Sequence, residues 1–202
     1  MADLFEPKPK SNKRLKADFA TEERCNTCIC VLENPANFTN VGTVLRNVNA
    51  MGIAKLYIVD GRNIFQGKTW ADNLRTSRHL MEVSVSAIKW TYVRIFQTTE
   101  ECFNHLEKKN FVSICTSPHV LGKDNVLLQE GTFTQKKLAV WFGNEVEGIS
   151  PIVTDRCIQC VQIGMHGMIE SLNLGTSTGI VLHEIANQRR QFKESHKKIK
   201  IN

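Results

Sequence analysis

The stretch Ile163-Gly-Met-His-Gly-Met-Ile-Glu-Ser-Leu-Asn-Leu174 decides how this chain is read. It lies between an apolar, β-like run over residues 157–163 and a helix-like run that continues to about residue 190. Its polar side chains, Ser171 and Asn173 above all, therefore sit at a strand-to-helix junction. In open α/β sheets such junctions, at the C-terminal ends of strands, are where ligands bind. Two other segments have the same character: Asn40-Val-Gly-Thr-Val-Leu-Arg46 and Phe142-Gly-Asn-Glu-Val-Glu-Gly-Ile-Ser150.

The remaining sequence supplies a frame for these three segments. Residues 27–32 form a compact apolar run of strand length, broken by Asn34-Pro35. Val41, Val44, Leu45, Val48 and Met51 then follow the spacing of an amphipathic helix, with Asn40 as N-cap and Gly52 as stop. At 100° per residue Arg46 points about 140° from Val41 and about 200° from Val44, so the arginine is presented rather than buried. Residues 54–59 make a second strand, closed by Asp60-Gly61. Residues 61–89 read as a loop with helical pieces. Residues 98–109 make a helix with Thr98 and Glu101 as a capping box. The apolar runs 111–116, 138–142 and 157–163 alternate with helical patterns, which argues a mostly parallel α/β sheet.

At 202 residues the chain suits one α/β domain with short appendages. We expect that domain over residues 25–190, between a basic N-terminal extension (1–24, helical over 14–24) and a basic tail (191–202). The net charge of +6 is concentrated at the two ends. Lys8, Lys10, Lys13, Arg14 and Lys16 contribute one cluster; Arg189, Arg190, Lys193, Lys197, Lys198 and Lys200, against Glu194, contribute another. The body is left at about −4. Cationic ends on an acidic body suit a polyanion, since counterion release supplies affinity; solvated tails are the plainer reading.

No apolar run approaches the ~20 residues that a bilayer requires, and the first residues do not read as a secretory signal. With 7 cysteines, an odd number, free thiols in a reducing, cytoplasmic setting are expected. Cys25/Cys28 and Cys157/Cys160 have metal-like spacing, but both pairs sit in or beside apolar strand-like runs and lack a glycine-rich knuckle. They read as buried strand cysteines, with no metal.

Together the three polar segments resemble the SPOUT class of methyltransferases, and within it the SpoU/TrmH family of RNA ribose 2'-O-methyltransferases, most closely the tRNA guanosine branch. The family motifs fall in order on Asn40, Gly42 and Arg46; on Gly143, Glu145, Gly148 and Ser150; and on Met165, Gly167, Ser171, Leu172 and Asn173. Gly164 stands where a proline is common, and Leu174-Gly-Thr-Ser where the family often has Val-Ser-Val-Ala. The resemblance implies a parallel sheet with helices on both faces, whose C-terminal segment threads a deep trefoil knot. It implies S-adenosylmethionine as cofactor, held near Thr116, Gly143, Asn144, Ile163, Met165 and Leu172. It implies catalysis by Arg46 with Asn40, Glu145, Ser171 and Asn173, an RNA substrate, tRNA first, and a homodimer.

Each residue also has a purely structural reading. Asn40 can be a helix cap, Glu145 a turn carboxylate, Ser171 and Asn173 caps of the last helix. Capping physics does not, however, require all three junctions of a parallel sheet to carry such residues. For Arg46 two roles stay open: general base, which a guanidinium performs poorly at its usual pKa, or a cation for phosphate and developing alkoxide charge. Ribosomal RNA as substrate, or a catalytically silent RNA-binding module, are the alternatives. The last helix carries Ile180, Val181, Leu182, Ile185 and Ala186, and its small residues 175–179 allow close backbone approach; a second copy is the expected cover.

Overall fold

A computed structural model describes residues 11–63, 78–119 and 125–199. In chain order the elements are α1 (Asn12–Glu22), β1 (Cys25–Glu33), α2 (Phe38–Ala50), β2 (Ile53–Val59), α3 (Arg78–Val83), a 3-10 turn (Ala87–Trp90), β3 (Tyr92–Phe96), α4 (Thr99–Lys108), β4 (Val112–Thr116), β5 (Asn125–Leu127), β6 (Leu138–Phe142), α5 (Pro151–Arg156), β7 (Cys160–Gln162) and α6 (Leu174–Ile199). The strands form one sheet in the order β3-β2-β1-β6-β4-β7-β5, and every pairing is parallel. All strand C-termini therefore open onto the same edge.

Both faces of the sheet are covered, which is why its strands read as unbroken apolar runs. In β1 the side chains alternate: Cys28, Cys30 and Leu32 pack under α2 and α6, while Ile29 and Val31 pack under α4 and α5. On that second face Trp141 stacks on Phe103 with ring centroids 4.3 Å apart and donates its indole N–H to Ser113 Oγ at 3.2 Å. The cysteines of β1, β4 and β7 are free thiols inside this core, apart from half-buried Cys25. Among the described residues no group of three or more His, Cys, Asp or Glu could hold a metal. No described helix is long and apolar enough to cross a membrane.

Several boundaries differ from those the sequence suggests, each for a local reason. The cap of α2 is Asn37, whose side chain accepts from the Asn40 N–H at 2.9 Å, so Asn40 lies inside the first turn and its side chain is released for other use. Gly52, at φ +74, ends that helix as expected. At α4 Thr98 accepts from the Glu101 N–H, but the Glu101 carboxylate reaches back to the N–H of Gln97 rather than of Thr98. The run 157–163 is a strand only over its second half: Cys157 caps α5 by donating its N–H to Val153 O at 3.0 Å. Elements not expected are β3, β5 and α5. The loop expected over 61–89 falls partly on residues 64–77, which lie outside the described residues, and otherwise contains α3 and the 3-10 turn.

The C-terminal part departs most. Helix α6 runs on to Ile199, through most of the expected tail. Arg189 is not a free surface cation: its guanidinium donates to the carbonyls of Phe133 (3.1 Å), Gln135 (2.7 Å) and Thr27 (3.3 Å) and to Thr27 Oγ1 (2.8 Å). Arg190 donates to Met51 O at 3.1 Å. Arg189 ties α6 to β1 and to the segment before β6, and Arg190 ties it to the end of α2, which leaves the cationic end to residues beyond them. The small residues at the start of α6 are likewise used within the chain, since a Cβ at Gly175 would stand 2.5 Å from Thr43 Cγ2 of α2. Asn47 of α2 donates to Gly175 O at 2.6 Å and to Thr178 Oγ1 at 3.1 Å.

Candidate active site

The site is assembled where β1, β4, β6 and β7 end. Residue Asn34, in the left-handed region at φ 48 that asparagine tolerates, turns the chain out of β1. Its carbonyl accepts from Asn144 Nδ2 at 2.6 Å, and its Oδ1 accepts from the Gly61 N–H at 2.9 Å. Asn144 Oδ1 in turn accepts from the N–H groups of Val146 and Glu147, at 2.8 and 3.0 Å, and its backbone exchanges two hydrogen bonds with Gly148, at φ +72. The loop over 143–150 is thus folded back on itself, so tightly that a Cβ on Gly143 would meet the Gly148 carbonyl carbon at 2.2 Å. Both ends of the Asn144 amide take part in holding that loop.

A folded-back loop aims Glu145 across at the start of α2. Its Oε2 accepts from the Ala36 N–H at 2.7 Å, and its Oε1 accepts from Asn40 Nδ2 at 2.6 Å. Asn40 Oδ1 then accepts from Asn173 Nδ2 at 3.1 Å, while Asn173 Oδ1 accepts from the Gly175 N–H at 2.8 Å and so caps α6. The three polar segments of the sequence are joined in one chain of hydrogen bonds, Glu145 to Asn40 to Asn173. Because an amide NH2 carries two donors, Asn40 and Asn173 each retain an N–H beyond these bonds.

Beside this chain lies a cleft of about 470 Å³. Asn40, Glu145, Ser171 and Asn173 form its polar side; Thr116, Gly143, Asn144, Ile163, Met165 and Leu172 line the rest. Thr116 is pinned by a bond from Oγ1 to Trp141 O at 3.0 Å. Arg46 is the exception. It is exposed on α2, does not line the cleft, and its side chain makes no hydrogen bond or ion pair among the described residues. In the core on the α4 and α5 face of the sheet the Cys115 thiol is pushed up to about 12, chiefly by hydrogen bonding with Cys157 and further by burial, so it stays protonated.

One residue that sequence reasoning passed over supports the whole arrangement. Glu33, 3 % exposed, accepts from Ser150 Oγ (2.6 Å), Ser150 N (2.9 Å) and Thr99 Oγ1 (2.8 Å). It fixes the end of the 143–150 loop to β1 and α4. A carboxylate closing an otherwise apolar strand run was the signal for it.

A profile of the SpoU rRNA Methylase family matches residues 27–183. The chain belongs to this family. Among its relatives, the SpoU-family chain is 26% identical over 182 residues to the tRNA (guanosine(18)-2'-O)-methyltransferase of Aquifex aeolicus, covering 90% of this chain and 78% of that one. The Thermus thermophilus enzyme of the same name is 28% identical over 159 residues, covering 79% and 74%. A 23S rRNA (guanosine-2'-O-)-methyltransferase of Acinetobacter baylyi is 25% identical, covering 91% and 68%. The crystal structure of the A. aeolicus TrmH/SpoU tRNA modifying enzyme superposes with a TM-score of 0.73 at 24% identity, over 90% of this SpoU-family chain and 85% of that one. These likenesses establish the fold and place the three motif segments in a methylase frame.

Proposed function

We propose that this SpoU-family protein transfers a methyl group from S-adenosylmethionine to a ribose 2'-hydroxyl of RNA, with a guanosine of tRNA as the foremost substrate. The observation that carries the reading is the hydrogen-bonded chain Glu145–Asn40–Asn173 at the mouth of the cleft. The fit of the cofactor rests on the cleft itself. Its volume falls within the ~300–1,000 Å³ of small-molecule sites. Its lining combines apolar Ile163, Met165 and Leu172 with a stretch, residues 164–172, whose main-chain groups enter no backbone hydrogen bond among the described residues and are open to a ligand. When bound, the cofactor supplies a methyl group activated by a sulfonium charge.

The chain's own residues orient and stabilise. Glu145 fixes Asn40, Asn40 fixes Asn173, and the spare N–H of each amide, together with Ser171 Oγ, can hold a ribose in line; alignment alone is worth roughly 7–11 kcal/mol. Arg46, exposed on α2, is the group assigned to take the 2'-hydroxyl proton as the methyl group is transferred, or to serve as the cation for the RNA phosphate and the charge developing on the 2'-oxygen while the proton leaves to water. The trefoil knot implied by the family resemblance would thread residues after β6 beneath this cleft. A homodimer is proposed as well. Its support is apolar surface near the site, Met168 (97% exposed), Ile169 (67%) and Ile180 (40%), because the small residues of α6 are already packed on α2.

The test is single-turnover methylation of a tRNA transcript with labelled cofactor, followed by mapping of the modified nucleotide. Arg46→Ala is expected to slow transfer by roughly a hundredfold or more while cofactor affinity, read by calorimetry, changes by no more than a few-fold. Unimpaired turnover would remove Arg46 from the mechanism. Labelling of ribosomal RNA in place of tRNA would support the second reading, which the Acinetobacter relative favours.

A further inference from the structure

On the α4 side of the sheet, at its β3 edge, four cations from three elements converge. Parallel pairing sets Lys55 beside Tyr92 and Tyr57 beside Arg94, so these side chains share one face. The end of α4 adds Lys108, with Lys109 following it as the C-cap. His105 sits among them, with Nε2 3.4 Å from Tyr57 Oη and 3.4 Å from Arg94 Nη1. Its ring packs 5.7 Å from Tyr57 and 5.5 Å from Phe96, and Arg94 lies 4.9 Å over the Phe96 ring. Burial, then Arg94, Lys109, Lys55 and Lys108, hold the His105 pKa below its ordinary value. Four cations thus bear on this imidazole. The ion pairs among the described residues, Arg62–Glu147, Arg78–Glu82 and Arg156–Glu107, involve none of the four.

The end of a helix favours lysines, which accounts for Lys108 and Lys109 on their own. It does not account for Lys55 and Arg94, which come from neighbouring strands and point to the same place, with Arg94 held by a ring rather than by an acid. In a body whose net charge is about −4 once the basic ends are set aside, such a cluster runs against composition. Its other feature is a ring: Tyr92, 51% exposed, stands between Lys55 and Arg94. Cations clustered round an exposed ring are the chemistry of a nucleic-acid contact, phosphates taken by the cations and a base or sugar face by the aromatic.

We propose that Lys55, Tyr92, Arg94, Lys108 and Lys109 form a second RNA-contacting surface, separate from the cleft, that holds the phosphate backbone of the RNA being modified. The inference rests on RNA as the substrate. Tyr92 opens β3 and Lys55 lies near the start of β2, whereas the cleft lies at the opposite, C-terminal ends of β1, β6, β4 and β7, which puts the two surfaces about 20 Å apart. A folded RNA of tRNA size reaches across both, and the neutral His105, accepting from Arg94, keeps that guanidinium aimed outward.

The experiment measures binding of a full-length tRNA transcript as a function of salt, with the whole chain. Replacing Lys55, Arg94, Lys108 and Lys109 together by Gln is expected to weaken binding at least tenfold at physiological salt and to make the log–log salt slope shallower by about 2 to 3. Cofactor affinity should stay unchanged. Lys108→Gln with Lys109→Gln, both exposed at a helix end, is expected to give about half the slope change and decides the matter if the fourfold variant does not fold. An unchanged slope in the folded variants overturns the proposal, as does a loss confined to vesicles of anionic phospholipid, which would make the patch a membrane contact. Methylation of the same transcript by the unaltered protein is followed alongside. Absent methylation with a changed slope sinks the proposed activity and leaves the patch; full methylation with an unchanged slope sinks the patch alone.

Discussion

A carboxylate taken almost wholly out of water must be satisfied by the protein, and Glu33 is satisfied by three donors at 2.6–2.9 Å. Two of them belong to Ser150, whose Oγ also accepts from the Val153 N–H and caps α5. Replacing Glu33 by Ala strands these donors, so Glu33→Ala is expected to lower stability by about 2–3 kcal/mol, read from the urea midpoint. The loop over 143–150 loses its anchor at the same time. Cofactor affinity should therefore fall in this variant even where the protein is still folded; a variant with full stability would show that the network contributes little. That Asn40, Glu145 and Asn173 come together was legible in the sequence because their segments stand at three strand ends. Their order of bonding was not, since nothing local dictates that Glu145 pairs with Asn40. Nor was the fate of Arg189 and Arg190, which read as tail charge by sequence neighbourhood and are spent on main-chain carbonyls that only the fold brings near.

Among elements, the 143–150 loop is the most constrained. The Cβ absent from Gly143 would overlap the backbone of Gly148 and Ile149 at 2.2–2.4 Å, and backbone cannot swing aside as a side-chain tip can. Gly143→Ala is expected to cost about 1–3 kcal/mol or more and, by opening the Asn144–Gly148 bridge, to abolish cofactor binding measured by calorimetry. Near-normal binding would mean that the loop has a second arrangement open to it. Elements with long, strongly patterned stretches were readable in advance: β1 and β6 as buried runs, α2 by its apolar stripe. The short ones were not. β5 has three residues, α5 has six, and exposed-alternating β3 offers little apolar signal at the sheet edge. An apolar run such as 157–163 looks the same to periodicity whether its first half caps a helix or extends a ladder.

For the whole molecule, the open question of assembly turns on Met168, Ile169 and Ile180. We expect light scattering at micromolar concentration to give the mass of two chains, and Ile180→Lys to shift it toward one. A single-chain mass with methylation retained would rule the dimer out and place the complete site within one chain. The parallel sheet has a further consequence, for how the protein comes to be made. Central strand β1 is paired on one side with β2, which follows it closely, but on the other with β6, Cys28 lying against Leu138 more than a hundred residues later. During synthesis the unpaired edge of β1 leaves the ribosome long before the strand that will pair with it. High contact order slows folding, and an uncovered edge is a template for pairing with another nascent chain. Yield in the cell should thus depend on chaperones that shield this edge more than on the stability of the finished fold.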